Sequence, residues 1–243
     1  MNRYGLIGYP LEHSFSQRYF TEKFQKEGII DTCFDLFPID TIAQLPILIQ
    51  QHPDLKGLAV TIPYKSAVMT LLDEIESAAD RIGAVNGISI KQGKLLGFNS
   101  DHLGFEKSLC RHLKSHHDRA LILGTGGSSK AVAFVLDTLG IPFQFVSRNP
   151  SAQQLSYESL ENDILNEFRL VINCTPVGMY PDIYASPLLN TRGIGEKHLL
   201  FDLIYNPAQT GFLKSGAAQG AETVNGLEML YFQAEINWLR WNE

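Results

Sequence analysis

LILGTGGSSKAVAFVLDTLG, Leu121 to Gly140, is the stretch around which the rest of the chain takes its order. Leu121, Ile122 and Leu123 run into Gly124, and Gly126 and Gly127 precede a segment in which Val132, Val135, Leu136 and Leu139 recur at helical spacing. The pattern predicts a strand, a tight turn and a helix. In such a turn one glycine supplies a positive φ, and another lets a phosphate reach the backbone where a Cβ would stand. The first amides of the helix then face a diphosphate. An ordinary strand-to-helix turn has the same outline, so the motif takes its weight from the strand beyond the helix.

Phe143, Gln144, Phe145 and Val146 form that second strand, which ends in Ser147, Arg148 and Asn149. NAD binding commonly uses an acidic residue at that strand end for the ribose hydroxyls, whereas NADP needs a cation for its extra phosphate. The first acid here is Glu158, well past the strand, and Arg148 stands where the phosphate would lie. A planar guanidinium both pairs with such an anion and stacks on adenine, so NADP is favoured over NAD. Two more apolar strands, Leu170 to Pro176 and Leu199 to Leu203, end in polar residues that would line the cofactor, Asn173 and Thr175 among them. Gly226 to Trp241 reads as an amphipathic helix with Leu227, Leu230, Ala234 and Trp238 on one stripe and Gln233 beside it.

The N-terminal half has its own βαβ rhythm. Residues 3–8 and Thr32 to Ile39 read as strands around a helix from Gln17 to Glu27, and a helix over Ile42 to Gln51, interrupted by Pro46, leads to a strand at Leu58 to Ile62. A largely parallel sheet is expected. Ser14 and Ser16 precede the first helix, either as caps or as hydroxyl donors to a substrate carboxylate. Thr61 and Lys65 lie at the end of the third strand, with Lys65 opening a helix that carries Val68, Leu71 and Leu72. Strand carboxyl ends are where α/β proteins place chemistry. Ile88 to Ile90 and Leu95 to Phe98 read as a hairpin, and Asp101 either caps a helix from Leu103 to Leu113 or serves the site. His112, His116 and His117 lack the carboxylate or thiol partners of a metal centre.

The 243 residues leave room for one large domain or two modest ones, and a formal charge of −6 without a basic run speaks against nucleic acid. No apolar run reaches the roughly 20 residues of a membrane span, and no leader is evident, so a cytoplasmic protein is expected. Cys33, Cys110 and Cys174 are widely separated and read as buried free thiols.

HSFS at 13–16, AVTIPYK at 59–65, AVNG at 84–87, FNSDHLG at 98–104, GTGGSSKA at 124–131, NCTPVGM at 173–179 and NGLEMLYFQA at 225–234 together resemble the shikimate dehydrogenase family, in order and along nearly the whole chain. The resemblance implies a substrate domain over 1–102 completed by a C-terminal helix at 226–243, and a Rossmann domain over 103–225. The site would lie in the cleft between them. It implies reversible NADPH-dependent reduction of 3-dehydroshikimate to shikimate, by a monomer or homodimer. By position, Ser14 and Ser16 match carboxylate ligands, Thr61, Asn86 and Gln233 match partners of the ring hydroxyls, and Lys65 with Asp101 matches the catalytic pair. Tyr205 and Gly226 match positions lining substrate and nicotinamide. A cationic lysine stabilises the negative charge that develops on a ketone oxygen during hydride delivery. An adjacent carboxylate holds a lysine in its charged form, so which of the pair moves the proton stays open.

The chain departs from the family pattern in three places: Ala59 stands for the usual Asn, Gly87 for the usual Thr, and Ser147-Arg148-Asn149-Pro150-Ser151-Ala152 lacks the second cation of the NADP clamp. NAD use therefore stays open, as do activity on quinate and a sensor that binds shikimate-like acids without turnover.

Overall fold

β1 (Asn2–Gly8) is buried from Tyr4 onward and runs parallel to β2 (Thr32–Pro38) on one side and β3 (Leu55–Val60) on the other. In the computed structural model, which describes residues 1–11, 14–187 and 191–243, these strands open a six-stranded sheet. His13 of the HSFS stretch lies outside the described residues. α1 (Phe15–Glu27) links β1 to β2, and α2 (Leu45–Gln51) links β2 to β3. Pro46 falls in the first turn of α2, after a 3-10 turn at Ile42–Gln44; its missing N–H would be unpaired there in any residue. β4 (Glu74–Ile75) and α3 (Ser77–Ile82) precede the hairpin of β5 (Gly87–Lys91) and β6 (Lys94–Phe98). The strand order is β2-β1-β3-β5-β6-β4, so the expected parallel core is extended by an antiparallel hairpin.

The helix expected to open at Lys65 is instead a short 3-10 segment, Ala67–Leu71. Leu72 is already extended, and Asp73 donates its N–H to the Leu95 carbonyl at 3.0 Å while its side chain accepts from Leu95 N at 2.7 Å. The sheet edge takes the chain before a second helical turn forms.

α4 (Asp101–Leu109), β7 (Ala120–Leu123), α5 (Gly127–Thr138), β8 (Phe143–Ser147), β9 (Leu155–Ser156), α6 (Asn162–Glu167), β10 (Leu170–Asn173), β11 (Leu199–Asp202), α7 (Gly211–Ala218) and β12 (Glu222–Asn225) make up the rest of the chain before its last helix. The second sheet, β12-β11-β10-β7-β8-β9, is parallel throughout. Its central strands β7, β10 and β11 are buried at every position and apolar up to the closing Asn173 and Asp202, because both faces are covered: Ile122, Ile172 and Phe201 face one cluster, Leu121, Val171 and Leu200 the other. α4 stops at Leu109, short of the expected Leu113, and β10 stops at Asn173, short of Pro176. The cysteines are free, but none is fully buried as expected: Cys110, just past the end of α4, is exposed, and Cys33 and Cys174 are half-buried.

Two compact units divide the chain, Met1–Ser100 with Ala234–Glu243, and Asp101–Gln233. α8 (Leu227–Asn242) contributes to both cores: Met229 packs with Phe105 and Leu109, whereas Ala234, Trp238 and Trp241 pack with Tyr4, Phe20 and Phe34. A side chain on Gly57 would collide with the Trp241 ring, so this close approach requires glycine.

Candidate active site

Ser14 is the N-cap of α1, its Oγ accepting from Gln17 N at 3.4 Å. A hydroxyl that accepts one bond keeps its own hydrogen for a second partner, so capping and anion binding are compatible. Ser16 stands half-buried in the first turn. Thr61 directly follows β3, its N–H donating to Ile7 O at 3.0 Å, and Lys65 lies in the turn beyond, its carbonyl accepting from Val85 N at 2.7 Å. That bond pins the lysine backbone to the segment leading into Asn86.

Asn86 is 3% exposed, and its side chain both donates to Ser100 Oγ at 2.9 Å and accepts from Ser100 N at 2.6 Å. Ser100 Oγ donates in turn to Asn237 Oδ1 at 2.6 Å. The Asn86 backbone carbonyl meanwhile accepts from Val60 N at 2.8 Å. This buried network holds the end of β3 and the residue preceding Asp101 in fixed positions. Ser100 stands in the FNSDHLG stretch without a role that the sequence assigns to it, and the signal for Asn237 is its place one helical turn beyond Gln233.

In the second unit Asp101 opens α4 and is 6% exposed. Gln233 on α8 is half-buried, its amide donating to Leu230 O at 3.0 Å. Gly124 has φ of 100°, donates to Val146 O at 2.9 Å, and would place a Cβ 2.9 Å from Thr175 Cγ2. Gly126 is the N-cap of α5 without a side-chain capping bond, and a Cβ there would meet no atom within 4 Å. Gly127 is the first residue of the helix. The open space beside Gly126, at a helix start, fits the diphosphate of a dinucleotide.

At the end of β8, Ser147 Oγ accepts from Asn149 N at 3.2 Å and Arg148 is exposed. Glu158 lies well past β8, as expected. β9 pairs with β8, Ser147 opposite Ser156, so Glu158 comes back to the same end of the sheet as Arg148. Its own backbone N–H and the Ser156 hydroxyl hold its carboxyl below the usual range. Two-residue strands such as β9 carry no periodic signal in sequence.

Asn173 is fully buried at the end of β10. Its amide donates to Asp202 Oδ1 at 3.0 Å, and its Oδ1 accepts from Thr175 N at 3.0 Å and Thr175 Oγ1 at 2.7 Å. It therefore shapes the Thr175 turn. Tyr205 is half-buried just after Ile204, whose carbonyl accepts from Gly226 N at 3.1 Å; a Cβ on Gly226 would run into the Leu203 carbonyl. Asp202, which the sequence reading missed, is raised to about 6 by burial against the pull of the bonds from Thr210, Ile204 and Asn173. Cys174, near it, is held as a neutral thiol, burial pushing its pKa up.

The histidines of 112–117 serve the fold. His112 and Lys114 both meet Glu222 at 2.7 Å, and His117 accepts from Lys114 N at 3.1 Å. Among the described residues no group of three His, Cys, Asp or Glu could hold a metal, and no helix is long and apolar enough to cross a membrane.

A glycine turn opening onto the first helix of a parallel six-stranded sheet, in a chain whose other α/β unit carries a lysine beyond a strand end, defines the class of dinucleotide-binding α/β oxidoreductases. Residues 6–88 match the shikimate dehydrogenase substrate binding domain. A shikimate dehydrogenase (NADP(+)) of Methanococcus maripaludis is 35% identical, over 98% of this chain and 90% of that protein. Among solved structures, shikimate dehydrogenase from Aquifex aeolicus superposes with a TM-score of 0.89 at 29% identity, covering 100% of this chain and 92% of that one. Shikimate 5-dehydrogenase from Thermus thermophilus, solved with NADP(H) and shikimate, gives 0.88 at 30% identity, covering 99% and 93%. The chain belongs to the shikimate dehydrogenase family.

Proposed function

We propose that this protein catalyses the reversible reduction of 3-dehydroshikimate to shikimate with NADPH. The observation that carries the reading is the full-length likeness to NADP(+)-dependent shikimate dehydrogenases in a chain that keeps Lys65, Asp101 and the open glycine turn. Ser14 and Ser16 donate to the substrate carboxylate at the positive end of α1. Thr61, Asn86 and Gln233 orient the ring through its hydroxyls, Asn86 from within its network with Ser100. Lys65 holds a proton at the carbonyl oxygen and stabilises the charge that grows there, and Asp101 orients the ammonium. The substrate leaves as the alcohol when that oxygen takes its proton.

Gly124, Gly126 and Gly127 receive the diphosphate, Ser147 and Arg148 the adenosine end, and Thr175, Tyr205 and Gly226 the nicotinamide end, with Asn173 acting through Thr175. NADPH bound there supplies the hydride. We place the reaction in the cytoplasm, in keeping with three cysteines that form no disulfide.

A second reading concerns the cofactor alone. Glu158 at the Arg148 end of the sheet is suited to ribose hydroxyls, which favours some use of NAD. Kinetics with shikimate and quinate, each with NADP+ and NAD+, test both readings. The first predicts the highest kcat/KM for shikimate with NADP+ and a loss of about tenfold or more for that pair in Arg148→Ala, with little change for NAD+. Equal NADP+ kinetics in the variant would reject the Arg148 assignment.

A further inference from the structure

Asp202 is a fully buried carboxylate at the end of β11 that accepts from three neutral donors: Asn173 Nδ2 at 3.0 Å, Ile204 N at 3.0 Å and Thr210 Oγ1 at 2.6 Å. Each donor belongs to a different piece of the cofactor side of the unit. Asn173 passes the constraint to Thr175, which lies against Gly124 in the glycine turn. Ile204 precedes Tyr205 and accepts from Gly226 N. Thr210 caps α7, its hydroxyl also accepting from Leu213 N at 3.3 Å.

We propose that Asp202 is the positioning residue for the dinucleotide, fixing the Thr175, Tyr205 and Gly226 segments at once so that the nicotinamide end meets them preformed. This rests on the dinucleotide reading of the glycine turn. An acceptor-only group is what the geometry demands, because three donors converge on two oxygens. An amide in its place would turn a donor toward at least one of them, leaving a buried N–H or O–H without a partner. The charged form suffers from burial, and proton uptake by it would undo the same pattern. At its level in the sheet its neighbours Asn173 and Asn225 carry no charge, Cys174 is held neutral by burial, and Lys214, the ionisable residue of α7, is exposed.

NADPH titrated into the substrate-free protein and followed by calorimetry tests this without turnover. Asp202→Asn should raise the NADPH Kd by about tenfold or more, while shikimate binding stays within about twofold. The variant-to-wild-type Kd ratio should fall toward one between about pH 8 and about pH 5, as the wild-type carboxyl takes up its proton; titration of the nucleotide phosphate cancels in that ratio. If Asp202→Asn does not fold, Thr210→Val carries the test, with a smaller rise in the same direction that Thr210→Ser reverses. Equal NADPH affinity in wild type and variant, a ratio independent of pH, or equal losses of NADPH and shikimate binding would overturn the proposal. A wild type that binds shikimate but no NADPH overturns the dinucleotide reading itself.

Discussion

His117 illustrates how a single side chain sets a pH dependence away from the chemistry. It is 3% exposed, and burial, with the neighbouring His116 and Lys114, pushes its pKa from 6.5 to about 4. Between those values the unfolded chain takes up a proton that the folded chain refuses, so stability falls as pH falls through that window. The full effect is about 3 kcal/mol. Denaturant unfolding should therefore show the advantage of wild type over His117→Gln shrinking by up to that amount between about pH 7 and about pH 4; parallel stabilities across the range would refute it. At this scale the sequence named the residues that a family motif carries, Lys65 and Asp101 above all. It gives no role to Ser100, Asn237 or Asp202, because a buried polar network has no periodicity: its members come from strand ends and helix faces far apart in the chain.

The elements were easiest to read where one physical demand ran uninterrupted. β7 is a continuous apolar run, and β10 and β11 are apolar up to their last residues, Asn173 and Asp202, because a parallel sheet is covered on both faces. The glycine turn was read from Gly124 and Gly126, and the structure gives the two different work: one adopts a backbone conformation that disfavours a side chain, the other faces open space. Gly126→Ala separates them. Its φ of −78° suits any residue and the added methyl touches no protein atom, so the entropy gained by replacing glycine is set against the poorer N-cap that Ala makes, and thermal stability should hold within about 1 kcal/mol. NADPH affinity should nevertheless drop about tenfold or more, because the methyl fills the space of the diphosphate. Unchanged affinity would place the phosphates elsewhere. Elements were misread where tertiary competition decided: the 3-10 segment after Lys65 ends because Asp73 joins Leu95 at the sheet edge, and β9, too short to show a period, returns Glu158 to the Arg148 end.

For the molecule as a whole, a net charge of −6 must be reconciled with two anionic ligands, shikimate and NADP. In the proposed site that demand falls on helix starts at Ser14 and Gly126 and on the cations Lys65 and Arg148, rather than on a basic surface. α8 serves both units of the chain, carrying Gln233 and Met229 in one and Asn237 and Trp241 in the other. Sequence periodicity announced that helix, but which residues served which core became visible only in the packing. The most direct measurement is the appearance of reduced nicotinamide when shikimate and NADP+ are mixed with wild type, Lys65→Ala and Asp101→Ala, alongside binding of both ligands to each. Turnover is expected from wild type, with losses of about a hundredfold to ten-thousandfold in kcat for both variants while both ligands still bind. A wild type that binds both ligands without forming reduced nicotinamide, or a Lys65→Ala protein that turns over at the wild-type rate, would contradict the assignment of Lys65 and Asp101 as the catalytic pair.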